Sequence, residues 1–493
     1  MRYSISIAEP KEHFVGMFAE IGNPSKEAFQ LQLPSWRPGR YELGNFAKNI
    51  RKLSITNELG VPVYYGKISK DCWQVDAEGL SKVILQYEYY ANQPDAGASF
   101  VDAELIYLNP VNCFMYVVGR MFEGFELQLN IPDTWQIACQ LPSSNKCIFA
   151  KDFDELADSP FFASPNMVHH QFALGESNIH FWFQGGAGPD LVKLEEDTRK
   201  YALVQTEIFG ELPVKNYHFL YLLLADKFRH GVEHKDSTVI AMGPSTGFAE
   251  KTFYNDFLAI SSHELFHLWN VKRMRPQEML PYDFTQENYS RLGYIYEGIT
   301  TYYGDLMLWR CGVWSFEEYA SSLAGDIERH LNNSGRFNYS LAESSFDTWL
   351  DGYVPGVKGR KVSIYMEGLL AALVADVEIM VATDCKANLN TVLTKLYQES
   401  FKKGRGYSQE MYQAILEEIS GISFKSYFSD LIDGCGRWEF YLEKIYDKLG
   451  LEVLIVDNEG SAITCSVKRC ENTTEMQDKI FEYWFNCTYF EGT

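Results

Sequence analysis

The chain has 493 residues, 46% hydrophobic and 15% aromatic, enough for several domains with large cores and unlike a disordered or fibrous protein. Its 44 basic against 66 acidic residues give a formal charge of −22, which argues against nucleic acid and anionic membranes as partners. Ten cysteines without a C-x-x-C pair speak against a thiolate metal site and for a reduced, cytoplasmic protein.

The amino terminus, MRYSISIAEPKEHF, lacks the apolar core of a signal peptide. Alternation then governs the first third. In SKVILQYEYY, Val83, Leu85, Tyr87 and Tyr89 share one face of a predicted strand, as do Phe125, Leu127 and Leu129 in FELQLNIP. Pro and Gly punctuate these runs, as in LPSWRPGRYELGN, and the pattern predicts an all-β, sandwich-like domain over 1–167. From about 190 the spacing turns helical in KLEEDTRKYALVQTEIFGELP, which Gly210 and Pro213 end, and NYHFLYLLLAD reads as a buried strand. Helices are predicted at 251–275, 297–310, 315–332, 364–382, 388–402 and 408–419. Strands followed by a block of helices make an α+β domain over 168–436. The window GLLAALVADVEIMVA is too short to span a bilayer and contains Asp376 and Glu378, so it reads as a buried helix. The last segment, 437–493, has short alternating runs and reads as a small β appendage.

One stretch, SSHELFHLWNVKRMRP at 261–276, carries chemistry. Positions i and i+4 of a helix lie one above the other, so His263 and His267 present their imidazoles to one point, as zinc requires. Glu264 stands about 100° round the helix, where it can reach a metal-bound water without being a ligand. Phe253, Phe257 and Ile260 supply an apolar face. Lys272, Arg273 and Arg275 suit the C-terminal dipole, and Pro276 stops the helix. The plainer alternative is a surface glutamate between two core histidines. A third ligand decides between them, and Glu297 in RLGYIYEGITTYYGDLMLW is the candidate, at the start of a second helix. Two histidines and a glutamate form the set of a catalytic zinc with one position open. Otherwise Glu297 is an ordinary acid in a helix's first turn. Asn270, one turn further along, is placed to orient a ligand or the substrate.

These blocks resemble the glycyl aminopeptidase family of zinc metallopeptidases, in the thermolysin-like gluzincin group. Its H-E-[FL]-F-H-x-W-N-V-K-R-[IM]-R-P pattern is similar to the stretch from His263, its E-G-x-T-x-Y-Y-G-D to 297–305, and its L-P-x-W-x-P-G-x-Y to 33–41. The resemblance implies a multidomain α+β fold with a thermolysin-like, mainly helical catalytic domain and one zinc ion per chain. It implies removal of N-terminal glycine or alanine from peptides with a free N-terminus. HGVEHKDSTVI at 230–240 resembles the family's G-G-x-E-H-x-x-S block and makes Glu233 the ligand of the substrate's α-ammonium, with His234 structural. SIYMEGLLAAL at 363–373 resembles S-Y-Y-x-K-G-x-L-x-A-L and makes Tyr365 the oxyanion donor, beside Glu264 as the base. The chain departs from the pattern at His230, Ile364 and Glu367. Thr301 stands where thermolysin-type sites often place an acid. Two other readings stay open: a zinc endopeptidase, and a catalytically silent binding protein on the same fold. Nothing in the sequence speaks to oligomeric state.

Overall fold

Val83, Leu85, Tyr87 and Tyr89 face inward from the strand Lys82–Tyr90, and Phe125, Leu127 and Leu129 from Phe125–Leu129, as alternation predicts. Both strands belong to a seven-stranded sheet that also holds Arg2–Glu9 and Phe14–Gly22. The computed structural model describes residues 1–352, 356–457 and 462–486. Two units divide the chain. The first comprises Met1–Leu191, Val214–Glu250 and Asp283–Glu287; the second comprises Val192–Pro213, Lys251–Tyr282 and Asn288–Thr493.

The first unit is built of sheets. Beside the seven-stranded sheet lie two of four strands and one of five. The five-stranded sheet contains β1 (Val168–Leu174), β2 (Ser177–Gly185), β3 (Asn216–Leu223), β4 (Phe228–Glu233) and β5 (Ser237–Gly243). Its order is β1-β2-β3-β5-β4, with β2, β3 and β5 mutually parallel and the edge strands antiparallel. The apolar run NYHFLYLL is β3, buried from Tyr217 onward because strands pair with it on both sides. Trp182, Leu220, Leu222, Val232 and Val239 form a core with Tyr107 and Phe162 of a four-stranded sheet.

Three imidazoles stack on this sheet. His169 lies 3.7 Å from the Trp182 ring, and His180 lies 4.4 Å from His218. Trp182 Nε1 donates to His218 Nδ1 at 3.2 Å. Burial first, then the neighbouring His180 and His169, pushes the His218 pKa from 6.5 down to about 3. Between those values the unfolded chain takes a proton that the native chain refuses. Stability is therefore lost as pH falls below 6.5, by up to about 1.4 kcal/mol per pH unit, and is unaffected above it. Melting temperatures from pH 7.5 to 4.5 are expected to fall more steeply for the wild type than for His218→Phe. Parallel curves would refute this account.

The second unit is helical. Its main helices are α1 (Leu191–Phe209), α2 (Lys251–Phe266), α3 (Thr300–Arg310), α4 (Phe316–Asn332), α5 (Met366–Ala382), α6 (Leu389–Glu399), α7 (Gln409–Ser420) and α8 (Trp438–Leu449). α5 is apolar on every side because α3, α4, α6, α7 and α8 pack round it. Its Asp376 is fully buried and accepts from Tyr302 Oη at 2.6 Å and from Leu389 N at 2.7 Å, which explains an acid in so apolar a run. No helix among the described residues is long and apolar enough to cross a membrane.

Two helix boundaries differ from expectation. The helix predicted over 251–275 ends at Phe266, well before Pro276. Trp269 is fully buried, stacks 4.9 Å from Phe209 and donates Nε1 to Glu211 O, so tertiary anchoring draws the chain off the helix axis. Arg273 does not sit in a last helical turn; it donates to Leu268 O and Pro213 O in the turns that follow. The second difference is at Glu297, described below. In the tail, strands Leu451–Val456 and Thr464–Arg469 form a hairpin, and helices α8 and α9 (Glu475–Phe485) flank it.

Candidate active site

α2 carries His263 and Glu264 near its C-terminal end, and His267 follows it directly. His267 N still bonds His263 O at 3.3 Å, so the i, i+4 stacking survives the end of the helix. The two rings stand edge to face with centroids 4.6 Å apart, and their Nε2 atoms are 3.0 Å apart. Glu264 is 4% exposed, with a carboxylate oxygen within 4.8 Å of a His267 ring nitrogen.

Glu297 comes from another element. It does not open a helix, as expected, but sits inside a π-helical turn, Tyr294–Ile299, that runs into α3. The wider turn changes the direction in which its side chain leaves the axis. Glu297 Oε2 lies 3.6 Å from His263 Nε2 and 3.3 Å from His267 Nε2. Burial alone would raise the Glu297 pKa, but the charge and hydrogen bonds of the two imidazoles outweigh it and hold the carboxyl at about 2.

Do these donors fit a metal? Bonds of about 2.0–2.1 Å at the tetrahedral angle separate two ligand atoms by roughly 3.3 Å. The separations of 3.0, 3.3 and 3.6 Å bracket that value. His267 and Glu297 are almost wholly buried, whereas His263 keeps 17% of its side chain exposed, so the open side of the cluster lies at His263. The nitrogen, nitrogen, oxygen set suits zinc with one free position.

Asn270 ties the two elements together. His267 Nδ1 donates to the Asn270 carbonyl at 2.7 Å, which makes Nε2 the nitrogen that faces the cluster and would give its lone pair to a metal once its proton is displaced. The Asn270 side chain donates to Ile295 O at 2.8 Å and Thr300 Oγ1 at 3.1 Å, on either side of Glu297. A main-chain carbonyl thus orients His267 where a carboxylate could have done so, and Thr301 Oγ1 donates to Glu297 O at 2.8 Å. Asn270→Ala keeps the carbonyl and loses the side-chain bonds. It is expected to weaken metal binding about tenfold, at the mild end for groups that orient a ligand. Competition with a chromogenic chelator measures this, and unchanged affinity would remove Asn270 from the site.

Tyr365 lies just before α5, and its ring stands 6.4 Å from that of His263, tilted by 35°. Its approach depends on two glycines. A Cβ on Gly298 would lie 2.4 Å from Gly368 Cα, so the π turn and α5 meet only because neither has a side chain there. In the sequence both glycines stand only as motif positions, and nothing local marks them as a crossing point beyond the E-G pairs at 297–298 and 367–368.

Glu233 ends β4 in the first unit and is 5% exposed. Gly39 of the LPSWRPGRY segment packs on it. Its φ is +75°, and a Cβ there would lie 2.5 Å from Glu233 Oε2. Two motifs far apart in sequence therefore meet at this carboxylate. His234 is buried with Nδ1 3.1 Å from Asp158 Oδ1, a structural contact. His230 is 3.9 Å from Asp95, and burial outweighs that acid to lower its pKa to about 4.

The sequence profile of the peptidase M61 N-terminal domain matches residues 2–165, and that of the M61 glycyl aminopeptidase matches 256–371. No curated protein sequence matches the chain. Among solved structures, an aminopeptidase N family protein from Idiomarina loihiensis is similar with a TM-score of 0.87 and 24% identity, over 96% of this chain and 82% of that one. An M1 zinc metallopeptidase from Deinococcus radiodurans, bound to a Tyr-Ser-Ala substrate, is similar with a TM-score of 0.53 and 14% identity, over 88% and 93%. At these identities the two structures establish likeness of fold.

Proposed function

The chain belongs to the M61 glycyl aminopeptidase family, and from that premise we propose a zinc aminopeptidase that releases small N-terminal residues, glycine or alanine, from peptides. The observation that carries this reading is the convergence of His263, His267 and Glu297 donor atoms within 4.8 Å. One zinc ion per chain, held by these three, supplies a Lewis acid for the scissile carbonyl and for an attacking water.

The chain's own residues do the rest. Glu264 takes the water's proton and returns it to the leaving amine; its burial keeps bulk water from competing for that proton. The Tyr365 hydroxyl donates to the developing oxyanion, worth roughly 3 kcal/mol for a well-aimed donor. Glu233, a buried carboxylate, receives the free α-ammonium and limits cutting to the first peptide bond. Nine free thiols among the described residues support a reducing, cytoplasmic setting.

Purified protein is expected to hold about one zinc per chain and to hydrolyse glycyl and alanyl amides. Acetylated peptides cut as fast as free ones would identify an endopeptidase and remove the role of Glu233. A chain that binds no zinc and cuts neither substrate is a silent binding protein.

A further inference from the structure

Ile364 and Glu367, where the chain departs from the family pattern, are both buried in the second unit. Ile364 is a packing group: its Cδ1 lies 3.1 Å from the position of a Cβ on Gly293, just before the π turn. Glu367 does more. It is 1% exposed in the first turn of α5, and both of its oxygens are engaged. Oε2 accepts Ser363 N at 2.9 Å, and Oε1 lies 3.2 Å from Nδ1 of the fully buried His330. Ser363 Oγ accepts Met366 N at 3.3 Å, so the segment 363–367 is closed on itself around Tyr365.

The pair joins two helix ends. A carboxylate in the first turn of α5 suits the positive end of that helix's dipole, and His330 reaches it from the last turn of α4. His330 is held in turn by Trp438 of α8, edge to face with ring centroids 5.3 Å apart. The family's lysine could not act in this way, since an ammonium only donates and cannot accept the Ser363 N–H. Tyr365 O accepts Leu369 N at 2.9 Å as α5 begins, and Glu367 N donates to Ser363 O at 3.1 Å, so Ser363 and Glu367 brace the chain on either side of Tyr365.

The geometry points to His330 and Glu367 as a positioning pair that fixes Tyr365 over the metal-ligand cluster. As a statement about catalysis this rests on the aminopeptidase reading above. Displacing a catalytic group by about 1 Å can cost on the order of a hundredfold in rate.

Glu367→Ala is expected to lower kcat on glycyl amides about tenfold, with KM and zinc content near wild type. In a Tyr365→Phe background the same change should lower kcat less than about twofold further, because the two act through one hydroxyl. Glu367→Gln, which can still accept the Ser363 N–H, should recover most of the rate. Apart from turnover, amides of 363–369 should exchange faster in Glu367→Ala while those of α2 keep wild-type rates. Should that variant fail to fold, His330→Phe, which leaves the Ser363 bond, carries both measurements. Equal kcat losses in the two backgrounds, or unchanged exchange at 363–369, would overturn the pair. A wild-type chain without peptidase activity, but with the expected exchange pattern, would overturn the aminopeptidase reading while supporting the hold on Tyr365.

Discussion

Glu264→Gln is expected to lower kcat on glycyl and alanyl amides by about a thousandfold or more while the protein keeps its zinc. Glutamine has the shape of glutamate, so the buried position beside His263 stays filled. It cannot accept the proton of the attacking water or carry it to the leaving nitrogen, and general acid and base roles each contribute about 10²–10⁴-fold. Elemental analysis and steady-state kinetics on the same preparation make the test. A variant with activity within tenfold of wild type would take the proton shuttle away from Glu264. Lost metal would instead make its role that of a ligand or a structural group.

Glu297→Ala should abolish metal binding under dialysis and peptidase activity with it. It removes one of three donors, the only anionic one, so affinity should fall well beyond the 10–100-fold typical of groups that merely orient a ligand. The contrast with Asn270→Ala is the informative part, because both alter the π turn but only one removes a donor atom. The pKa of Glu297, held at about 2 by the two imidazoles, gives the sign of its stability effect. A carboxylate depressed in the folded state stabilises it above the ordinary carboxyl range, and that contribution is lost as pH falls toward 2. Glu297→Ala should therefore also flatten the acid side of the stability curve of the metal-free protein. Zinc retained through dialysis against buffer would remove Glu297 from the donor set.

Much of this protein was legible without coordinates. His263 and His267 are four residues apart, and helical periodicity alone sets two such side chains one above the other; they still meet, edge to face, although the helix ends between them. The alternation of Val83, Leu85, Tyr87 and Tyr89 specified a half-buried strand, because side chains on a strand repeat every two residues. The all-round apolar run of α5 specified a buried helix for the same local reason.

Local periodicity could not reach further. Where α2 stops depends on Trp269 stacking on Phe209, a partner sixty positions back in the chain. That Glu297 faces the imidazoles depends on a π turn, which has no sequence signature of its own, and on Asn270 clasping it from another element. The close crossing of Gly298 and Gly368 and the burial of Glu367 against His330 are likewise contacts between segments distant in sequence. Composition and spacing determined which elements form and which residue types could do chemistry, since those follow from each segment's own geometry. Only the packed structure decided which of them share a site, because that is a property of pairs of surfaces that the chain brings together after each has formed.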